Sequence, residues 1–411
     1  MKPKFTLTTL KNGLRVAVEE WPSMKSVTVG FWVNAGSRDE HAKIMGVSHF
    51  LEHMMFKGTD AIGPHELSLA FDNMGAIVHN ASTGHDSTNY FAKVVPEYTQ
   101  QTLELLAQMM RPALRTEDFE MEKNVIIEEI ALYLDQPSFE LVVQGMARYF
   151  GDHSLSIPVL GTPETIKGMR AEDMRAYWAS HYAPSNMVVV AVGAVKSEEF
   201  VKMVEKACGA WTGSEVKRSI VPVRPRTGET RVIHKPNFSR QHLLFMTPAP
   251  PRTREWEEAV SVLTTIVGDN EHSRLYWDLV EPGLVDTASL DDMGFEDCGA
   301  YTAYVSCEPS KAPEIMKKTL EIIRAPKSFT DEELEMARNK LSASAVFDAE
   351  RGVGRYYALG SDLLLGYPYR TVHEESAAYE AVTRERLEEL LKAYPMTDWA
   401  VTAVGPLEKL S

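Results

Sequence analysis

Apolar residues recur along this chain with two periods. Val47 to Phe56 is an apolar run whose large side chains repeat at helical spacing, so a helix is expected there. A second helix is expected where Met121, Val125, Ile126, Ile130 and Leu134 recur every three to four residues. Ala171 to Ser180, Arg384 to Lys392 and Glu255 to Gly268 also read as helical. β-branched runs mark strands, and Ile77 to Thr83 reads as an edge strand that an extended peptide could join through backbone hydrogen bonds.

One such strand recurs. Tyr182-Ala-Pro-Ser-Asn-Met-Val-Val-Val-Ala-Val-Gly193 returns loosely as Tyr394-Pro-Met-Thr-Asp-Trp-Ala-Val-Thr-Ala-Val-Gly405, an offset of 212 residues, and each copy follows a helix. A repeat of about half the chain predicts an internal duplication with two homologous α/β domains, an α+β fold class. Gly213 to Thr230, with Pro222, Pro225 and several charges, suits a linker, which places the domains at 1–214 and 215–411.

The helix Val47 to Phe56 carries the candidate chemistry. Within it stands His49-Phe50-Leu51-Glu52-His53. On a helix His49 and His53 lie one turn apart on one face, with Glu52 beside them, so that two imidazoles share a metal and a carboxylate takes the proton of an attacking water. Two imidazoles and a carboxylate suit zinc, whereas magnesium and calcium prefer all-oxygen shells. A third protein ligand is required, and the best candidates lie in Glu122 to Tyr133. Glu122 and Glu129, seven residues apart, share a face, while Glu128 is turned about 100° from Glu129 toward solvent.

With these residues the chain resembles the pitrilysin/insulinase metallopeptidases, the inverzincins, and within them the short-chain branch of the mitochondrial processing peptidase and its bacterial relatives. Leu10 to Val16 looks like that family's opening hairpin, and Asn34 to Glu40 like the strand end and loop before its zinc helix. Phe56-Lys-Gly-Thr59, Asn80-Ala-Ser-Thr83 and Leu160-Gly-Thr-Pro163 match further blocks in the family's order. In that family the third ligand is a glutamate about 76 residues beyond the second histidine, which is where Glu129 stands, and an additional glutamate seven residues earlier is matched by Glu122.

The resemblance implies a zinc endopeptidase acting on peptides or leader segments. One zinc ion would be held by His49, His53 and Glu129, Glu52 would be the catalytic base, and Glu122 would orient a histidine or hold its helix in register. Asn80, Ala81 and Ser82 are the candidate substrate-binding residues. The resemblance also implies two halves closing like a clam shell.

The second half does not repeat the metal chemistry, since Glu255 to Gly268 contains no histidine and His272 stands alone. It also departs from the family. Where relatives carry an arginine and a tyrosine after a Ser-Arg-Leu block, this chain has Leu279 or Val280 and Asp286, with Tyr301 and Tyr304 as candidate substitutes. Some bacterial relatives divide these parts between two chains. The expectation is therefore a zinc-bearing subunit that needs a homologous second subunit to supply the arginine and tyrosine, a heterodimer, with a homodimer as the alternative. The rival function is a catalytically silent peptide-binding or assembly subunit of the same fold.

Composition narrows the classes. A net charge of −15 opposes nucleic acid as partner and suits basic peptides, and 44% hydrophobic residues supply sizeable cores. No apolar run approaches the ~20 residues of a membrane span. The start lacks the apolar core of a secretory signal, so a cytoplasmic location is expected. Cys208, Cys298 and Cys307 form no C-x-x-C pair and point to neither a disulfide framework nor a cysteine zinc site.

Overall fold

The β-branched runs assemble into two mixed sheets. The computed structural model describes residues 3–76, 78–324 and 328–410, so Ile77, at the head of the expected edge strand, lies outside the described residues. The first sheet contains β1 (Lys4–Thr9), β2 (Arg15–Glu20), β3 (Val27–Val33), β4 (Val78–Thr83), β5 (Thr88–Val94) and β6 (Met187–Gly193), in the spatial order β1-β2-β6-β3-β5-β4. Its two middle strands, β6 and β3, are buried at every position, because both sheet faces are covered. Only β2 and β6 run parallel; the other neighbours are antiparallel.

The second sheet contains β7 (Thr230–His234), β8 (Gln241–Ala249), β9 (Thr287–Gly294), β10 (Gly299–Cys307) and β11 (Ala400–Gly405), in the order β7-β11-β8-β10-β9. β7 and β11 are parallel and the remaining pairs antiparallel. The series β2-β6-β3-β5-β4 thus recurs as β7-β11-β8-β10-β9, with the same strand directions. The two strands read as repeats, β6 and β11, occupy equivalent positions, and the expected α+β class with a duplicated architecture holds. Before β7 the chain from 212 to 229 has no helix or strand.

The compact units do not follow a single cut of the chain. One comprises 1–130, 157–219 and 347–371; the other comprises 131–156, 220–346 and 372–411. Each half of the sequence therefore gives one helix to the unit built mainly from the other half. In the first unit the helix Val353–Leu364 lays Tyr356, Leu359 and Leu363 against Trp32, Phe91 and the apolar residues of β6. Gly360 permits that approach, since a Cβ there would meet the Trp32 indole nitrogen at 2.0 Å. In the second unit the helix Pro137–Phe150 packs Leu141, Met146 and Phe150 with Leu244, Met246 and Val404. Gly145 does there what Gly360 does in the first unit, with Leu244 at 2.4 Å from a Cβ.

Among the described residues no helix is long and apolar enough to cross a membrane. The helix Thr116–Leu134 forms as expected, but its buried stripe differs. Phe119, Glu122, Ile126 and Ile130 face inward, while Met121 and Val125, expected on the apolar face, are 64% and 50% exposed. The reason lies in what the helix packs against, since Glu122 is turned inward to His53 and Lys57.

Candidate metal centre

The helix Val47–Met55 buries Val47, Phe50, Leu51, Met54 and Met55, and this stripe sets the direction of the polar face that carries His49, Glu52 and His53. Its N-terminus is held by a residue from the preceding loop. Glu40 accepts from the Gly46 and Ser48 backbone N–H groups at 2.7 and 2.8 Å, and the Ser48 hydroxyl meets the Tyr177 hydroxyl at 2.8 Å. Burial pushes the Glu40 carboxyl up to about 8, against the pull of those hydrogen bonds. Two free N–H groups of the helix start are thereby satisfied, so the helix has one fixed pose.

The imidazoles of His49 and His53 lie edge to face, with centroids 4.7 Å apart. From the helix Thr116–Leu134, Glu129 points its two oxygens at them, Oε1 at 3.8 Å from His49 Nε2 and Oε2 at 3.4 Å from His53 Nε2. Donor atoms of the three residues all lie within 4.8 Å of one another. Glu129 Oε2 is buried without a hydrogen-bond partner, as is His49 Nδ1. A buried carboxylate oxygen with no donor facing it, beside two ring nitrogens, is what a cation between the three would satisfy. The residue set therefore fits zinc.

Glu122 stands behind this face. It is 4% exposed, receives the His53 Nδ1–H at 3.0 Å on Oε1, and pairs with Lys57 Nζ at 2.5 Å on Oε2. This is why the helix turns an acid into its buried stripe and leaves Met121 and Val125 outside. Burial alone would raise the Glu122 carboxyl, but the bonds from His53 and Lys57 outweigh it and hold it below its ordinary value. An ionised Glu122 holds His53 by Nδ1, which turns Nε2 toward Glu129.

The remaining charges follow from the same geometry. Burial, helped by the charge of His53, lowers His49 to about 4, so its ring is neutral, the form a metal requires. Burial would also lower His53, but the Glu122 bond and the charges of Glu129, Glu122 and Glu52 raise it instead. Burial raises Glu129, with His53 opposing and Glu122 reinforcing. Burial likewise raises Glu52, opposed by a hydrogen bond from the Thr83 hydroxyl and by His53.

The three residues expected to bind substrate lie on β4, which among the described residues pairs with β5 alone and forms the edge of its sheet. Asn80 and Ser82 are exposed on one face and Ala81 is buried on the other. His79 stacks on Phe71 with its Nδ1 at 2.9 Å from the Ala76 carbonyl, and His85 is half-buried near Arg38 and Asp86. Neither joins the cluster. Thr83 and Lys57 carry no signal in the sequence although both fall in segments matched to the family, because no spacing rule ties residue 83 to 52 or residue 57 to 122.

In the second unit Leu279 is buried within the π-helical turn Tyr276–Val280, and Asp286 pairs with Arg240. Tyr301 is 0% exposed in that unit's core, so as a candidate substitute for the missing substrate-binding tyrosine it is sealed away. Tyr304 is committed to His242 Nδ1 at 2.9 Å. His272 is exposed, with φ of 62° and its ring near Tyr276 and Trp277.

Known proteins resemble this chain in sequence and fold. Residues 15–162 match the sequence profile described as Insulinase (Peptidase family M16), and residues 168–341 match that of the Peptidase M16 inactive domain. The uncharacterized zinc protease YmxG of Bacillus subtilis is 31% identical over 97% of this chain and 97% of its own length. The mitochondrial-processing peptidase subunit beta of Bos taurus is 28% identical over 99% of this chain and 86% of its own. The crystal structure of a protease from Helicobacter pylori shares the fold, with a TM-score of 0.91 at 22% identity over 99% of this chain and 100% of that one. An insulinase-profile match followed by an inactive-domain match, on a duplicated fold in which, among the described residues, only the first half gathers a histidine–glutamate cluster, leads to one conclusion: the chain belongs to the insulinase family of peptidases, family M16.

Proposed function

We propose that this chain is a zinc-dependent endopeptidase subunit that hydrolyses peptides or leader segments. The observation that carries the reading is the convergence of His49, His53 and Glu129 donor atoms within 4.8 Å, with Glu52 one residue from His53 and tethered by Thr83. The names of the relatives, zinc proteases and a processing peptidase, support it. His49, His53 and Glu129 hold one zinc ion per chain. When bound, zinc supplies a Lewis acid that polarises the peptide carbonyl and makes water more acidic.

The chain's own groups do the rest. Glu52 takes a proton from the water as its oxygen adds to the carbonyl carbon, then delivers that proton to the amine nitrogen as the C–N bond breaks. Glu122 keeps the His53 ring in one tautomer and one orientation, and Lys57 keeps Glu122 charged. The open edge of β4, at Asn80, Ala81 and Ser82, takes the substrate as an added strand, which favours extended peptides over a particular sequence. The acidic surface, with a net charge of −15, favours basic ones.

A homologous second chain completes the grip on substrate by supplying the arginine and tyrosine whose places are taken by Leu279 or Val280 and by Asp286. The name of the bovine relative, a subunit, supports this division of labour. The test measures zinc content and peptide cleavage together. Glu52→Gln is expected to retain one zinc per chain and lose roughly 10²–10⁴-fold in turnover. Wild-type protein that binds zinc yet cleaves no peptide with any homologous partner chain would instead favour a silent peptide-binding subunit.

A further inference from the structure

Thr83 is the last residue of β4, and two features of its position meet at Glu52. Its side chain, on the same face of the strand as buried Ala81, reaches the helix Val47–Met55 and donates its hydroxyl hydrogen to Glu52 Oε2. Its backbone faces elsewhere. The hairpin to β5 closes with a bond from the Gly84 N–H to the Ser87 carbonyl at 2.8 Å, and Thr83 stands opposite Thr88 one pair further in. Bonded and non-bonded pairs alternate along an antiparallel ladder, so the Thr83 N–H and C=O point away from β5, toward the edge that no strand among the described residues covers.

We propose that Thr83 is a positioning residue that ties substrate pairing to the orientation of the base, an inference that rests on the peptidase reading above. Its hydroxyl pins one oxygen of Glu52 and so presents Oε1 to the attacking water. Its backbone lies where an extended peptide would add to β4. A peptide strand that pairs with this edge therefore orders the residue that aims the base, and a carboxylate free to rotate would lose the aligned geometry on which proton transfer depends. An ordinary structural role, a strand-end threonine satisfying a nearby acceptor, predicts loss of stability rather than of turnover.

The experiment compares Thr83→Val and Thr83→Ser with wild type in the zinc-loaded full chain, together with its homologous partner chain if cleavage needs one. Thr83→Val, close in size but unable to donate, is expected to lower kcat by up to roughly 10²-fold while KM, zinc stoichiometry and melting temperature stay near wild type. Thr83→Ser, which keeps the hydroxyl, is expected to restore most of that loss. Wild-type kcat in Thr83→Val, or equal impairment of both variants, overturns the proposal. Crystal structures of zinc-loaded wild type and Thr83→Val read the same question without turnover. A rotated Glu52 carboxylate in the variant supports the positioning role, even if wild type proves to cleave nothing and the peptidase reading fails; an unmoved one overturns it.

Discussion

Arg355 and Glu19, 336 residues apart in sequence, form an ion pair sealed inside one unit, with Arg355 Nε donating at 2.8 Å and Nη2 at 3.1 Å to the two carboxylate oxygens. Their side chains are 1% and 0% exposed, and Glu19 also accepts from the Tyr369 hydroxyl at 2.6 Å. The pair joins β2, from the start of the chain, to the helix Val353–Leu364, from near its end.

Removing one member strands the other without water. Arg355→Leu is expected to destabilise the first unit by about 3–5 kcal/mol, and Glu19→Leu added to it to recover part of that loss, because a buried charge without its partner costs more than the pair contributes. Denaturant unfolding of the single and double variants measures both values. A double variant no more stable than the single one would assign the cost to packing.

In the proposed zinc site Glu122 would act on the metal mainly by holding the His53 ring. Glu122→Gln is expected to weaken zinc binding by roughly 10–100-fold, the usual effect of losing the carboxylate that orients a ligating histidine. Competition with a chelator of known affinity reads it. Lys57→Met should move affinity in the same direction, since Lys57 holds the other oxygen of Glu122 at 2.5 Å.

Glu40 makes stability depend on pH in a defined sense. Its carboxyl titrates at about 8 in the folded chain against an ordinary value of 4.5, so the folded state holds the proton more tightly and the stabilisation is complete below 4.5. It is lost as the pH rises from 4.5 to about 8. Glu40→Gln cannot titrate and loses one of the two acceptors for Gly46 and Ser48. The advantage of wild type over this variant should therefore narrow across that interval and level off above it, as urea midpoints at several pH values will show.

A single purified chain is expected to cleave peptides weakly or not at all, and to gain activity with a homologous chain that carries the missing arginine and tyrosine. Copurification followed by peptide digestion tests this. Full turnover by the isolated chain would remove the need for a partner.

The core of the site was legible because its first part is local. His49, Glu52 and His53 sit on one helix, where spacing alone sets the face they share. Glu122 and Glu129, two turns apart on a second helix, could be read as a same-face pair, but their nearness to the histidines came from likeness to a family and not from periodicity. The apolar stripe of that second helix was read too generously. Met121 and Val125 fit the helical period, yet the helix is rotated so that Glu122 reaches His53 and Lys57, a gain that an apolar count does not register.

Thr83 and Lys57 show where such reading stops. Their partners are 31 and 65 positions away, on Glu52 and Glu122, and nothing in a threonine or lysine announces which acid it will meet.

Periodicity and repetition along the chain were enough to determine a duplicated α+β protein with a histidine pair and an acid on one helix, because those features are set by residues near one another in sequence. Only the tertiary structure decided that each unit contains a helix from the other half, that Glu19 meets Arg355, and that a strand-end hydroxyl holds Glu52. Those contacts depend on which surfaces remain unburied once the sheets have formed, and packing selects among them by shape and by the cost of leaving a buried polar group unpaired.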